Sequence, residues 1–136
     1  MHNSLADLGW SDHFAAQIGT DETALIPARL ALLHRGRIDV LTTSGPAELI
    51  CPPNLPVSSL AVGDWVLGDG KRVVRLLDRN SLLQRRAAGT GIETQRIAAN
   101  VDTMFIVSSC NADFNEGRLE RHLVLAHAAG IEPVVV

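Results

Sequence analysis

The sequence predicts a mainly β unit followed by an α/β unit: a small five-stranded Greek-key barrel with a helical segment ahead of it, then an incomplete βαβ unit. Three observations carry this. Residues 25–77 are short apolar runs broken by Gly, Pro, Asp and Asn; residues 101–108 form a mostly apolar run; and the period then changes to a helical one before Val134, Val135 and Val136. At 136 residues with 46% hydrophobic side chains, the chain has the material for one domain or two small ones and is no disordered tail.

Taken in order, residues 4–18 place Leu5, Leu8, Phe14 and Ile18 at approximate helical spacing, interrupted by Gly9 and Trp10, so a short helix or helical turn is expected. Residues 25–34 and 38–42 are β-like runs joined by the turn Arg35-Gly36-Arg37, which is a hairpin. Ser44-Gly45-Pro46 predicts another turn before a third strand over 47–51. The proline-rich 52–56 cannot lie in a central strand, because proline lacks the ladder donor. A fourth strand, 64–67, pairs with a fifth, 72–77, across Gly68-Asp69-Gly70-Lys71, where Asp-Gly tolerates the positive φ of a tight turn. Five such strands fit an OB-type barrel or an SH3-like one. Trp65, inside a strand, is expected in the core.

Residues 80–96 are polar, arginine-rich and without periodicity, and read as a long loop or linker. Residues 101–108 then suit a strand buried on both faces. Asp113 and Glu116 match a capping box, Leu119, Leu123 and Ala126 follow at helical spacing, Gly130 suits the residue after a helix, and Pro133 ends it. Strand, helix and strand within some 35 residues make a βαβ unit. Two parallel strands and one helix leave a sheet face and both edges uncovered, so the chain is expected to be a fragment of a longer protein. The expected division is 1–79, 80–99 as a basic linker, and 100–136.

The net charge of −3 conceals an uneven distribution. Residues 1–24 carry Asp7, Asp12, Asp21 and Glu22 and no Lys or Arg, whereas 71–96 carry seven cations against Asp78 and Glu93. Screening confines such fields to about 8 Å at physiological salt, so a local basic stretch attracts phosphate even on an acidic chain. Arg35 and Arg37 at the first hairpin and Lys71 and Arg72 at the last are candidate RNA contacts, since the corresponding loops of OB barrels border the oligonucleotide face. Arg79, Arg85, Arg86 and Arg96 in the linker are candidates for the same role; a solvated charged turn is the competing reading for all of them. Arginine suits the task because it pairs with phosphate bidentately and stacks on bases. With two Trp, three Phe and no Tyr, aromatic stacking platforms are scarce, which favours recognition of a folded RNA by shape and backbone.

The search for catalytic chemistry is negative. No G-x-x-x-x-G-K-[ST] and no G-x-G-x-x-G occurs, so no phosphate cradle is expected here. His122 and His127 are five apart on one helix, which is the wrong spacing for a zinc pair; Ser108 and Ser109 have no recognisable base; Cys51 and Cys110 read as core thiols. No catalytic, cofactor-binding or metal residue is assigned. No 20-residue apolar stretch or signal peptide is evident, and a soluble cytoplasmic protein is expected.

Leu8-Gly9-Trp10, Ala61-Val62-Gly63-Asp64-Trp65-Val66, the 79–85 segment, Ile97-Ala98-Ala99-Asn100-Val101-Asp102, Ile106-Val107-Ser108, and Phe114-Asn115 before Leu119-Glu120-Arg121-His122-Leu123-Val124 together resemble the RsgA (YjeQ/EngC) family of circularly permuted GTPases. The resemblance runs over essentially the whole chain. It implies a five-stranded OB-type barrel followed by the first βαβ of a P-loop-type GTPase domain, and a role in late maturation of the small ribosomal subunit, with that subunit and its rRNA as partners. No DNA or membrane contact is implied. The family's guanine-specifying Asn-Lys-x-Asp, phosphate loop and zinc ligands would all follow Val136, so GTP with Mg and one structural Zn belong to the expected full-length protein and none to this piece. A stand-alone OB interaction module is the alternative; a dinucleotide-binding fragment is disfavoured by the missing glycine fingerprint.

Overall fold

A computed structural model of the chain describes residues 4–86, 94–107 and 116–136. The chain divides into two compact units, Met1–Asn80 and Ser81–Val136.

The first unit is a curved antiparallel sheet. Its strands are β1 (Ile26–Leu33), β2 (Arg37–Thr42), β3 (Gly45–Ile50), β4 (Trp65–Gly68) and β5 (Val73–Leu76), in the order β3-β2-β1-β4-β5. Alternation sends Leu30, Ile38, Val40, Leu49, Val66 and Val73 to the concave side, where they form one core. The opposite face of β4 is buried as well. A 3-10 turn (Ala6–Leu8), the short helix α1 (Asp12–Ala15) and a second 3-10 turn (Thr20–Glu22) lie against it, packing Phe14 on Trp65, Leu67 and Leu77 with Trp10 at the margin. Trp10 meets Trp65 edge-on at 4.9 Å between ring centroids. All four residues of β4 are therefore buried, and Trp65 is a core residue as expected. Gly36 in the first hairpin takes φ 77°, a conformation that a side chain would strain.

Two expectations are corrected. Gly45 and Pro46 do not form a turn but belong to β3, opposite Thr42 and Leu41; β3 is an edge strand, where proline's missing donor costs no ladder bond. The sheet also does not close into a barrel. Among the described residues β3 is joined to the β5 side by one isolated parallel bridge, Ile50 with Arg72 just ahead of β5, where the Ile50 N–H donates to the Lys71 carbonyl at 2.8 Å. Ahead of that bridge the seam opens on an apolar cavity of about 210 Å³, with Ala47 and Leu49 of β3 and Gly68 of β4 in its lining.

The second unit begins with a hairpin that the sequence reading missed: β6 (Leu82–Arg86) pairs antiparallel with β7 (Thr94–Ala99), within the stretch expected to be a loop or linker. Its buried face explains it, because Leu83 packs with Ala126 and Ile131 in the core of this unit. β8 (Thr103–Ile106) then runs parallel to β9 (Glu132–Val135), with α2 (Glu116–Ala128) between them in sequence, which is the expected βαβ order. Gly130 follows the helix at φ 71° in the left-handed role anticipated for it. The strand expected to be buried on both faces is not: Phe105 is 68% exposed and Val107 79%. Among the described residues, β8 pairs with β9 on one flank and with no strand on the other. Asp113 of the capping box, Ser108, Ser109 and Cys110 lie outside the described residues.

Candidate nucleic-acid interface

The end of β3 brings four of the candidate cations together. Arg37 is the cross-strand partner of Ile50, and Ile50 bridges to Arg72 on its other side. The Cys51 N–H donates to the Gly36 carbonyl at 3.0 Å, tying the Arg35-Gly36-Arg37 turn to the same strand end. Because Ile38, Leu49 and Val73 point inward, alternation turns Arg37, Ile50 and Arg72 outward on a common face. Arg35, Arg37, Lys71 and Arg72 are all exposed, although sequence places the two pairs some 35 residues apart.

The electrostatics are mixed. Arg37 Nε sits 3.6 Å from Glu48 Oε2, with both side chains about half exposed, so this pair adds little stability. Arg35, Lys71 and Arg72 make no ion pair among the described residues. The 68–72 turn is shaped by Asp69, whose Oδ1 accepts the backbone N–H groups of Arg72 (2.8 Å) and Lys71 (2.9 Å). Those two bonds hold its carboxyl below the usual carboxylate range. Burial pushes the Cys51 thiol up, away from the reactive thiolate.

Arg79, also in the first unit, is engaged by a buried carboxylate. Arg79 donates from Nε to Asp64 Oδ1 at 2.7 Å and from Nη2 to Asp64 Oδ2 at 2.8 Å, and again from Nη2 to the Ser59 carbonyl at 3.0 Å. Asp64 is fully buried and also accepts the Ala61 N–H at 2.7 Å. The pair raises the Arg79 pKa, with the hydrogen bond to Asp64 as the largest cause. Arg79 thus serves to neutralise a buried carboxylate, which removes it from the set offered to phosphate. Arg85 and Arg86 lie on β6 and Arg96, exposed, on β7 of the second unit.

What the sequence reading missed at the corner is Ile50, 53% exposed at its centre. Strand alternation from the buried Leu49 could have found it, but only once the register with Arg37 was known. No G-x-x-x-x-G-K-[ST] occurs in the chain, and no three of His, Cys, Asp and Glu converge among the described residues.

A mostly β unit followed by a parallel βαβ unit has counterparts among solved structures. The solved structure of YloQ, described as a circularly permuted GTPase, superposes with a TM-score of 0.55 over 87% of this chain and 42% of its own, at 19% identity. YjeQ from Thermotoga maritima gives 0.55 over 82% and 40%, at 21% identity. Within that class the sequence is more specific. Residues 76–136 match the RsgA GTPase family. Over 135 residues, 98% of its length, the chain is 49% identical to the small ribosomal subunit biogenesis GTPase RsgA of Mesorhizobium japonicum, covering 39% of that protein. It is 46% identical over 136 residues to RsgA 2 of Vibrio parahaemolyticus, covering 37%. The chain belongs to the RsgA family, and it spans about two fifths of the length of these curated relatives.

Proposed function

We propose that this chain is the N-terminal piece of a ribosome-assembly GTPase that acts late in maturation of the small ribosomal subunit. The curved sheet is its OB-type domain and docks on rRNA; the parallel βαβ unit opens the permuted P-loop GTPase domain. Hydrolysis, with GTP and Mg, belongs to the remainder of the protein, as does a structural zinc site, and the protein works in the cytoplasm. The observation that carries this reading is 49% identity across 98% of the chain to a relative named for small-subunit biogenesis and GTPase activity. The strand order β3-β2-β1-β4-β5, with a parallel bridge between the outer two strands, supports the OB assignment.

Arg35, Arg37, Lys71 and Arg72 are the proposed phosphate contacts of the sheet, with Arg85, Arg86 and Arg96 as further candidates on the second unit. Phosphate contacts release counterions, so four of them predict a slope of about −3 in log K against log salt. Titration of small-subunit rRNA with the chain between low and moderate salt tests this. Replacing all four cations with Gln should flatten the slope and weaken binding by at least tenfold; an unchanged slope would rule the corner out as the interface.

A further inference from the structure

The basic corner is not a plain row of cations. Ile50 lies between Arg37 and Arg72 as the cross-strand neighbour of each, and adjacent strands are about 4.8 Å apart, so the two arginine backbones stand about 10 Å apart with an apolar side chain between them. Glu48, two residues back on the same outward face, stands 3.6 Å from Arg37 and weakens the pull of that side on phosphate. A site built only to hold a continuous double helix would gain nothing from a half-exposed isoleucine at its centre. In A-form RNA the paired bases are turned inward, and a phosphate brought onto Ile50 loses water without gaining a partner.

We infer that the corner is built for RNA carrying an unpaired nucleotide: the flanking phosphates lie against Arg35, Arg37, Lys71 and Arg72, and the extruded base or its ribose rests on Ile50. This rests on the proposal that the corner binds RNA, and adds which RNA. The aliphatic shelf replaces the aromatic platform that the composition lacks. It offers dispersion and burial to any base face without reading its hydrogen-bonding edge, so the preference is for an unpaired nucleotide and not for a sequence.

The test uses the 136-residue chain and two RNA hairpins with the same loop and the same number of phosphates, one with a fully paired stem and one with a single bulged 2-aminopurine in the stem. The bulged hairpin should bind several-fold tighter, and its 2-aminopurine emission should change on binding. Ile50→Gln, a change at an exposed position, should abolish the preference and the emission change while leaving the salt slope as it was. Equal binding of the two hairpins, or an Ile50→Gln variant that weakens both alike, overturns this inference while the RNA interface stands. Failure of both hairpins to bind overturns the interface and the inference together.

Discussion

Seven cations crowd residues 71–96, yet Arg75 and Arg79 are held by partners within the first unit: Arg75 by Glu22 and the Gln17 carbonyl, Arg79 by Asp64 and the Ser59 carbonyl. Removing the partner of a buried charge is expensive, because the remaining carboxylate stays desolvated. Arg79→Leu should cost about 3–5 kcal/mol, read by denaturant unfolding, and Arg79→Lys should recover only part of it because lysine cannot span both carboxylate oxygens. Arg35→Gln, at an exposed turn, should leave stability within about 0.5 kcal/mol and act on RNA affinity alone. If Arg79→Leu instead weakened RNA binding with stability intact, the ion pair would be incidental. This distinction was not legible in sequence. Arg79 stands beside other arginines in a polar stretch, and nothing local announces that a carboxylate fifteen residues earlier is buried and needs it. Ile50 was hidden for the same reason, since its two arginine neighbours come from strands distant in sequence.

At the scale of elements, the turn between β4 and β5 couples fold and charge. Asp69 accepts the amides of Arg72 and Lys71 and so presents their side chains, while its own negative charge opposes phosphate. Asp69→Asn keeps an acceptor and removes the charge, so RNA binding should tighten at low salt; Asp69→Ala loses both and should bind more weakly than Asp69→Asn. Because the folded-state pKa is depressed, the stabilisation from these bonds is present above the ordinary carboxylate range and is lost as pH falls through the lowered value. A carboxyl NMR titration of Asp69 should therefore end below that range, with protection of the Lys71 and Arg72 amides lost alongside. A normal titration curve would remove the turn from this account. Elements of this kind were readable because their signals are local: Asp-Gly for this turn, Gly36 for the first hairpin and Gly130 after the helix. The β6–β7 hairpin escaped because its strands carry Gln, Arg and Thr and the burial that holds Leu83 comes from the helix, not from the strand sequence.

For the molecule as a whole, the two units differ in how well they cover themselves. The first buries both faces of β4 between its concave core and its N-terminal segment. In the second, β8 and β9 form a two-stranded parallel sheet on which Phe105, Val107, Val135 and Val136 are each more than half exposed. Two parallel strands are not independently stable in water, and the parallel arrangement ordinarily has both faces covered. The sequence did convey the parallel order, through a long apolar run, a helix and a valine run. It could not convey the exposure, because apolar strands are written for neighbours whether or not these are present. The 136-residue chain by itself should accordingly self-associate as concentration rises, measured by sedimentation velocity. Phe105→Lys with Val135→Lys, both at exposed positions, should return it to a monomer without loss of β1–β5 structure. A protein extending to the full length of its relatives should remain monomeric at the same concentrations, since further strands would pair with these edges. The isolated chain should also show no GTP turnover, as it contains no phosphate-binding loop sequence. Self-association that persisted in the double lysine variant would place the sticky surface elsewhere, at the open seam between β3 and β5 where the apolar cavity reaches solvent.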